Sequence, residues 1–406
     1  MPGRSRFASD HIGRGFQGGG FHGGLLRCLV IVFLSAVPVL GQEPPSLDLP
    51  PADGSFPVAF TLVSSIRELP DGSVLLADRG ESQLYVLDWD EDRARPVGRR
   101  GEGPGEYLGT GWIYPLAGDS SLFTEGRLGR WHLLEGARIV RTLAHDRPLP
   151  SRLGGELGGG DGAGGLLGLA VYWGGGPMQD RYAADSLSVH LVRDLGDGGS
   201  AEMEMVAVVP GRGPGFPSAR RRDLQNPVRI NPLVTETLAV LFLDGWVALV
   251  FSDPYAVRWR SPEGEWRGGE PLEEDALPLS EAVACAAVRG WDFRRAPEPC
   301  SQEELDAYIW PERAPPFLSQ GSHAMNARAA GAAHAAPDGR LLVRRLPSPD
   351  RLTEETRYDV IDREGRLAGI LRLAANEAIV GVGRHHLYVV STDAVDLQHL
   401  TRHSWP

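Results

Sequence analysis

The sequence predicts an all-β protein: a six-bladed β-propeller of four-stranded antiparallel blades, closed by an N-terminal strand and interrupted by one loop and helix insertion. Three observations predict this fold. The 406-residue chain contains 52 Gly and 32 Pro among many short apolar stretches, which is typical of strands joined by frequent turns. A turn-strand-turn-strand pattern recurs about every 45 residues. The last repeat offers only three strands, while an unassigned strand precedes the first.

The N-terminus has the features of an export signal. The basic residue Arg27 precedes an apolar run over residues 29–40, and the small residue Gly41 follows it. Because the length of this run matches the ~7–15 residues of a signal-peptide core, we predict a cleaved signal peptide over residues 1–41. The run is too short to span ~30 Å of hydrocarbon as a helix, so we expect no membrane span after cleavage. Cys28 precedes the apolar run instead of following it, which argues against a lipid anchor. A Pro-rich tether over residues 42–55 follows, and the protein is expected to be periplasmic or secreted.

The repeat is clearest in two segments that read PDGSVLL at residues 70–76 and PDGRLLV at residues 337–343. Each Asp-Gly pair provides the positive φ that a tight hairpin needs. The six copies start near residues 71, 119, 167, 244, 338 and 384. The unassigned strand at residues 56–62 completes the last copy, so that the propeller occupies residues 56–406 and no sheet edge stays open.

An insertion over about residues 268–322 departs from the repeat. Ser301 and Glu304 form a Ser-x-x-Glu capping box before an apolar run, and Pro311 ends it, which predicts a short helix. Loops on a rigid scaffold often carry binding residues, so this insertion is the first candidate for function.

The insertion also contains the two cysteines that remain once Cys28 is removed with the signal peptide. Cys285 and Cys300 form an even pair in an oxidising compartment, which favours a structural disulfide over two free buried thiols. On the loop-entropy model such a bond contributes roughly 3 kcal/mol.

Composition excludes several functions. The net charge of −12 disfavours nucleic acid and anionic lipid as partners. All 41 basic residues are Arg, so a P-loop, a kinase ATP-site lysine, a Schiff-base lysine and a Ser-Lys dyad are absent. No Gly-x-Ser-x-Gly nucleophile elbow is present.

A segment at residues 98–107, GRRGEGPGEY, resembles the Gly-x-x-Gly-x-Gly-Pro-Gly-Glu-aromatic segment of bacterial exported six-bladed β-propellers of the NHL-repeat-like type. A partial copy, GRGPGF, occurs at residues 211–216. The resemblance implies fold and export but assigns no catalytic residue. From the residues themselves, the Pro-Gly step predicts a tight turn, and a phosphate-binding nest is the disfavoured alternative.

The candidate metal sites fail on spacing. Residues 88–92, DWDED, carry alternate acids, but Arg93 and Arg99 occupy positions where a calcium loop needs Gly and Glu. His399 and His403 on a strand would lie ~13 Å apart. We therefore assign no metal ligand, no cofactor and no catalytic residue. The Gly-rich residues 154–165 are expected to form a loop.

Asp78, Asp253 and Asp393 each end a predicted strand at a comparable place in its repeat. They either cap turns, which we favour, or line the pore and hold calcium. The favoured function is accordingly a non-enzymatic binding or scaffold module in the cell envelope for a protein, peptide or glycan. The alternative is a calcium-dependent hydrolase or lyase of lactonase type at the pore.

Overall fold

The structure is a computed structural model. It describes residues 44–116, 118–125, 130–144, 168–173, 186–194, 202–210, 233, 237–272, 278–288, 299–308, 310, 313–317, 331–346 and 354–405. The predicted signal peptide at residues 1–41 and the Gly-rich residues 154–165 lie outside this part of the chain.

The described residues form an all-β structure with two short helices. Two short strands come first: β1 (Ser46–Leu47) and β2 (Gly54–Ser55). Sheet 1 contains β3 (Val63–Glu68), β4 (Val74–Asp78), β5 (Gln83–Asp88) and β6 (Arg93–Val97). A short parallel pair follows, β7 (Arg99–Arg100) and β8 (Glu106–Tyr107). Sheet 2 contains β9 (Ile113–Pro115), β10 (Ser120–Glu125), β11 (Arg130–Glu135) and β12 (Arg138–Ala144).

The remaining sheets follow in chain order. Sheet 3 contains β13 (Gly168–Trp173), β14 (Ser186–Asp194) and β15 (Glu202–Pro210). Sheet 4 contains β16 (Leu238–Leu241), β17 (Val247–Ser252), β18 (Tyr255–Arg260) and β19 (Trp266–Pro271). Two helices come next, α1 (Glu281–Val288) and α2 (Gln302–Asp306). Sheet 5 contains β20 (Ala333–Ala335), β21 (Leu341–Arg344), β22 (Glu355–Ile361) and β23 (Leu367–Ala374), and sheet 6 contains β24 (Glu377–Val382), β25 (His386–Thr392) and β26 (Gln398–Ser404).

The sheets are arranged as in a β-propeller. Within each sheet, consecutive strands pair antiparallel. The first strands of neighbouring sheets also contact one another: β24 with β3, β3 with β9, β13 with β16, β16 with β20, and β20 with β24. The first strand of each sheet therefore lies nearest the common axis, and the later strands lie progressively farther out.

The prediction of six four-stranded blades is wrong at the third repeat. Five sheets have four or more strands, whereas sheet 3 has three within the described residues. The sequence offers only three apolar stretches in this repeat, and the residues that follow, 211–232, are rich in Pro, Gly and Arg and lie outside the described part. The structure is therefore a propeller arrangement of five such blades and one three-stranded sheet.

The N-terminal segment joins the last sheets of the chain. β2 pairs antiparallel with β26, and the Phe60 N–H donates to the Gln398 carbonyl at 2.8 Å. β1 adds to sheet 5 as a parallel neighbour of β23. The closing strand is thus β2, which lies before the predicted strand at residues 56–62. Those residues form only the isolated bridge at Phe60, and the first strand of sheet 1 starts at Val63.

The apolar core lies between successive sheets. In the inner strands, alternate residues face opposite neighbours: Val74 and Leu76 pack toward sheet 6, whereas Leu75 and Ala77 pack toward sheet 2. Similar clusters join sheets 3 and 4, 4 and 5, and 5 and 6. Because β4 is buried on both faces, its sequence is a continuous apolar run instead of an alternating one. Each such fully buried side chain contributes about 1.5–3 kcal/mol.

Two consecutive residues at the end of β3 connect sheet 1 to both of its neighbours. The buried Arg67 guanidinium donates to the carbonyls of Leu116 (3.2 Å), Gly118 (2.7 Å) and Ser120 in the first turn of sheet 2. The Glu68 carboxylate accepts from the backbone N–H groups of His385 and His386 in the first turn of sheet 6. Burial lowers the pKa of Arg67 to about 10, so it keeps its charge at neutral pH.

The predicted helix is confirmed at its capped start, but it ends at Asp306, before the predicted stop at Pro311, and a second helix precedes it. Ser301 caps α2, and both hydrogen bonds of the capping box with Glu304 are present. Ser280 caps α1, since its hydroxyl accepts from the Val283 N–H at 3.2 Å. Both helices lie in the connection between sheets 4 and 5. Because β19 continues to Pro271, this connection starts after that residue rather than at residue 268.

Candidate functional site

Two long connections start and end on the same face of the propeller. In an antiparallel four-stranded sheet, the turn between the second and third strands and the link to the next sheet lie at the same end. The link between sheets 1 and 2, at residues 98–112, and the link between sheets 4 and 5, at residues 272–332, both belong to this face. The opposite face has short turns such as residues 69–73 and 336–340. Long connections on a rigid scaffold are where binding sites are found most often, so this face is the candidate functional face.

An open cleft lies between α1 and α2 on this face. Its volume is about 450 Å³, and its apolar floor is formed by Leu279, Ala284 and Leu305. Tyr308 and Trp310 add two aromatic rings whose centroids are 5.4 Å apart. The cleft therefore offers apolar and aromatic surface in a region that is otherwise exposed.

The polar lining of the cleft includes two carboxylates. Glu281 and Asp306 contribute carboxylates, and Ser280 and Gln302 complete the polar lining. The Gln302 side-chain amide donates to the Asp306 carboxylate at 2.8 Å, and the Ser280 hydroxyl caps α1. No basic side chain lines this cleft among the described residues.

The cleft is held by contacts on both of its sides. Val283 and Ala287 of α1 pack against Leu233 and Leu346, which belong to other connections. On the other side, the Trp310 indole N–H donates to the carbonyl of Leu305 at 2.9 Å, which fixes the ring at the end of α2.

Cys285 and Cys300 join the two sides of the cleft. Cys285 lies on α1 and Cys300 directly before the cap of α2, and the sulfur atoms are at disulfide distance with Cα atoms 5.5 Å apart. That Cα separation suits a disulfide. The structural disulfide predicted from the sequence would hold α1 and α2 together.

A buried charge network lies beneath the insertion. The fully buried Asp359 accepts from the Tyr255 hydroxyl at 3.0 Å, from Arg345 at 3.0 Å and from Arg357 at 3.0 Å. Phe317 of the insertion pairs with Arg345 through a β-bridge and packs on Tyr255. Burial and the adjacent Asp359 charge raise the pKa of Tyr255 well above its ordinary value. Both carboxylate oxygens are occupied by donors, so the network supports the insertion instead of offering a catalytic base.

The three strand-end aspartates lie at equivalent turns. Asp78, Asp253 and Asp393 directly follow or end the second strands of sheets 1, 4 and 6, one strand away from the axis. Asp78 accepts from the Glu81 N–H of its own turn at 3.2 Å, and from two backbone N–H groups directly before β3. Asp393 accepts from two N–H groups of its own turn, and Asp253 is exposed. Asp78 and Asp393 thus have the turn-capping role that we favoured.

The segment at residues 98–107 forms a loop that is held by hydrogen bonds between its own residues. Gly98 has φ +68, and a Cβ there would lie 2.9 Å from the Tyr107 ring, so only glycine fits. The Glu106 carboxylate accepts from the Gly103 N–H and from Arg99, and these bonds lower its pKa. The buried Tyr107 hydroxyl donates to the Val97 carbonyl at 2.6 Å. The segment anchors the link between sheets 1 and 2, which agrees with the predicted turn.

The remaining metal candidates do not converge. His399 contacts Asp393 at 3.0 Å, whereas His403 contacts the Pro50 carbonyl at 2.8 Å, although both lie on β26. The acidic residues 88–92 form an exposed hairpin turn whose N–H groups bond to Asp88. Within the described residues, no group of three or more His, Cys, Asp or Glu side chains is placed to hold a metal ion.

Two features of the structure were not anticipated. The first is the cleft, in which Glu281 lies near Tyr308 and Trp310. Two sequence patterns could have indicated it: an alanine-rich run capped by Ser280, and an aromatic pair directly after a capped helix. The second is a buried pair, in which the His132 Nε2 and Glu125 Oε2 atoms are 3.6 Å apart and both side chains are inaccessible. No sequence pattern pairs these two residues.

The fold and the site define a β-propeller with an insertion cleft, and comparison with known proteins adds only fold-level likenesses. No family model and no curated protein matches the chain. A protein of Bacteroides fragilis that is inferred to be exported is 10% identical, with 89% of this chain and 94% of that chain covered and a TM-score of 0.44. A streptogramin B lyase is 11% identical over 87% of each chain, with a TM-score of 0.37.

A third similar structure is the PQQ-bound aldose sugar dehydrogenase of Streptomyces coelicolor. It is 13% identical, with 89% of this chain and 99% of that chain covered and a TM-score of 0.38. At these identities and scores, the neighbours assign neither an activity nor a ligand to this chain. In the described part of the chain, no helix is long and apolar enough to cross a membrane.

Proposed function

We propose that this protein is an exported β-propeller binding module of the cell envelope, and that the cleft between α1 and α2 binds its protein, peptide or glycan ligand. The export rests on the signal peptide predicted at residues 1–41. The observation that carries the binding site is the cleft itself: about 450 Å³ of open space with an apolar floor and two aromatic side chains. Aromatic residues in an open cleft provide large contact area with little loss of side-chain entropy on binding.

The geometry of the carboxylates supports a binding role over the metal-dependent alternative. Asp359 is enclosed by two arginines and a tyrosine, and the Asp78 and Asp393 carboxylates cap turns. A pore-mouth hydrolase needs several acceptors converging on one point near the axis. The carboxylates named here are instead used within their own sheets or between neighbours.

The proposal is tested by thermal unfolding of the purified chain with a panel of peptides and oligosaccharides. A compound present at a hundredfold excess over its Kd adds about 2.7 kcal/mol to stability. We expect at least one panel member to raise the Tm of the wild type and not that of Tyr308→Ala. Trp112→Ala is the matched control, because Trp112 is 37% exposed on the link between sheets 1 and 2 and lies outside the cleft. A shift that survives Tyr308→Ala would place binding elsewhere and refute the assignment.

A further inference from the structure

We infer that the cleft between α1 and α2 recognises a cationic peptide side chain, an arginine or lysine of a protein partner. This inference rests on the proposed binding function and specifies the chemistry of the ligand. It starts from the polarity of the cleft: within the part of the chain that the structure describes, its lining combines the Glu281 and Asp306 carboxylates with no basic side chain. Carboxylates only accept hydrogen bonds, so a ligand that binds these two groups must bring donors.

The charge of the surroundings favours the same ligand. The chain has a net charge of −12, and the helix that carries Asp306 also has Glu303 and Glu304 in its first turn. Glu304 is used in the capping box, whereas Glu303 is exposed and adds to the negative field around the opening. An anionic ligand would be repelled, and a cationic segment would be attracted over roughly a Debye length of ~8 Å.

The apolar part of the cleft matches the rest of such a side chain. Tyr308 and Trp310 offer ring surface, and an arginine or lysine head over an aromatic face gains about 0.5–2 kcal/mol. The floor formed by Leu279, Ala284 and Leu305 suits the aliphatic stem. One cationic side chain can therefore place its aliphatic stem on the apolar floor, its charged head over the aromatic rings and its N–H donors on the carboxylates.

Isothermal titration of the full chain tests the inference with three probes: an end-capped Gly-Arg-Gly-Arg-Gly peptide, its neutral citrulline analogue and chitotetraose. We expect the arginine peptide to bind about tenfold tighter than the citrulline peptide, because a charge-assisted hydrogen bond is roughly twice as strong as a neutral one. Added salt should weaken only the arginine peptide.

Charge-neutral variants identify the residues responsible. Glu281→Gln with Asp306→Asn should reduce the affinity for the arginine peptide about tenfold, to that of the citrulline peptide, while retaining the acceptor for Gln302. Glu303→Gln is the matched control: it removes a charge from the same helix without lining the cleft, and through the long-range field alone it should weaken binding by much less than the double variant. Circular dichroism and Tm confirm that each variant is folded.

The outcomes separate the inference from the proposed function. Equal binding of the arginine and citrulline peptides, or unchanged binding by the double variant, overturns the inference. Binding of chitotetraose alone, abolished by Tyr308→Ala, also overturns it but leaves the cleft as a binding site. If no probe binds and no panel compound gives a Tyr308-dependent Tm shift, both the inference and the proposed function fail.

Discussion

Arg67→Met is predicted to weaken the contact between sheets 1 and 2. The substitution keeps an apolar stem of similar length but removes the donors to Leu116, Gly118, Ser120 and the Ser121 hydroxyl. The Gly118 and Ser120 carbonyls lie in a partly exposed turn and can bond to water. The Leu116 carbonyl and the Ser121 hydroxyl are buried. Leaving two buried acceptors unsatisfied costs about 2–4 kcal/mol.

Urea and thermal unfolding of the purified chain measure this loss. In a chain of this length we expect the Tm of Arg67→Met to fall by roughly 3–6 °C. Arg67→Lys should recover part of it, because an ammonium group replaces some donors but lacks the planar fork. Arg100→Met is the matched control and should change stability by less than about 0.5 kcal/mol, since Arg100 is exposed. If both methionine variants unfold alike, Arg67 does not hold the sheets together.

Three further changes test other parts of the structure. Replacing both Cys285 and Cys300 by serine should cost roughly 3 kcal/mol in urea unfolding. The oxidised chain of residues 42–406, which lacks Cys28, should show no free thiol when titrated under denaturing conditions, and two reactive thiols there would contradict the pairing. Burial lowers the pKa of His132 below its ordinary value, so on acidification this residue takes up its proton in the unfolded state before it does so in the folded state. The free energy of unfolding should therefore fall as pH drops below about 6.5, by at most ~1.4 kcal/mol per pH unit. His132→Asn should flatten that slope, and an unchanged slope would exclude His132 as its source. Tyr107→Phe leaves the buried Leu84 N–H without its acceptor and should cost about 1–3 kcal/mol in the same unfolding assay, whereas a loss under about 0.5 kcal/mol would show that water replaces the hydroxyl.

The propeller arrangement could be predicted because its turns are local. Asp71-Gly72 and Asp338-Gly339 form the predicted tight turns, with φ +85 at Gly72 and φ +87 at Gly339. The continuous apolar runs after them are buried on both faces, as strands packed between two sheets must be.

The sequence indicated less clearly at which strand each blade starts and how many blades there are. Counting from the turns started every repeat, except the third, one strand too late, so Val63–Glu68 was not recognised as the first strand of sheet 1. The two-residue closing strand β2 is too short to show any periodicity. In the third repeat an Asp-Gly pair, Asp197-Gly198, comes after the second apolar stretch instead of before it, and the apolar stretches could not indicate how many strands the repeat forms.

The candidate site was only partly predictable. The insertion and its capping box are visible in the sequence, because Ser301 and Glu304 interact locally. The cleft depends on Glu281 and Trp310, which lie far apart along the chain and meet only because α1 and α2 pack together. The His132 and Glu125 pair is close in the sequence, but the two side chains meet only through the register of β10 and β11, which the sequence does not specify.

Hydrogen exchange of the chain, with and without the panel compound that gives the largest Tm shift, tests the central claim most directly. If the cleft is the binding site, protection should increase in α1 and at residues 299–310, and that increase should be lost in Tyr308→Ala. Protection confined to the inner strands β3, β9, β16, β20 and β24 would instead place the ligand at the propeller axis and contradict the account.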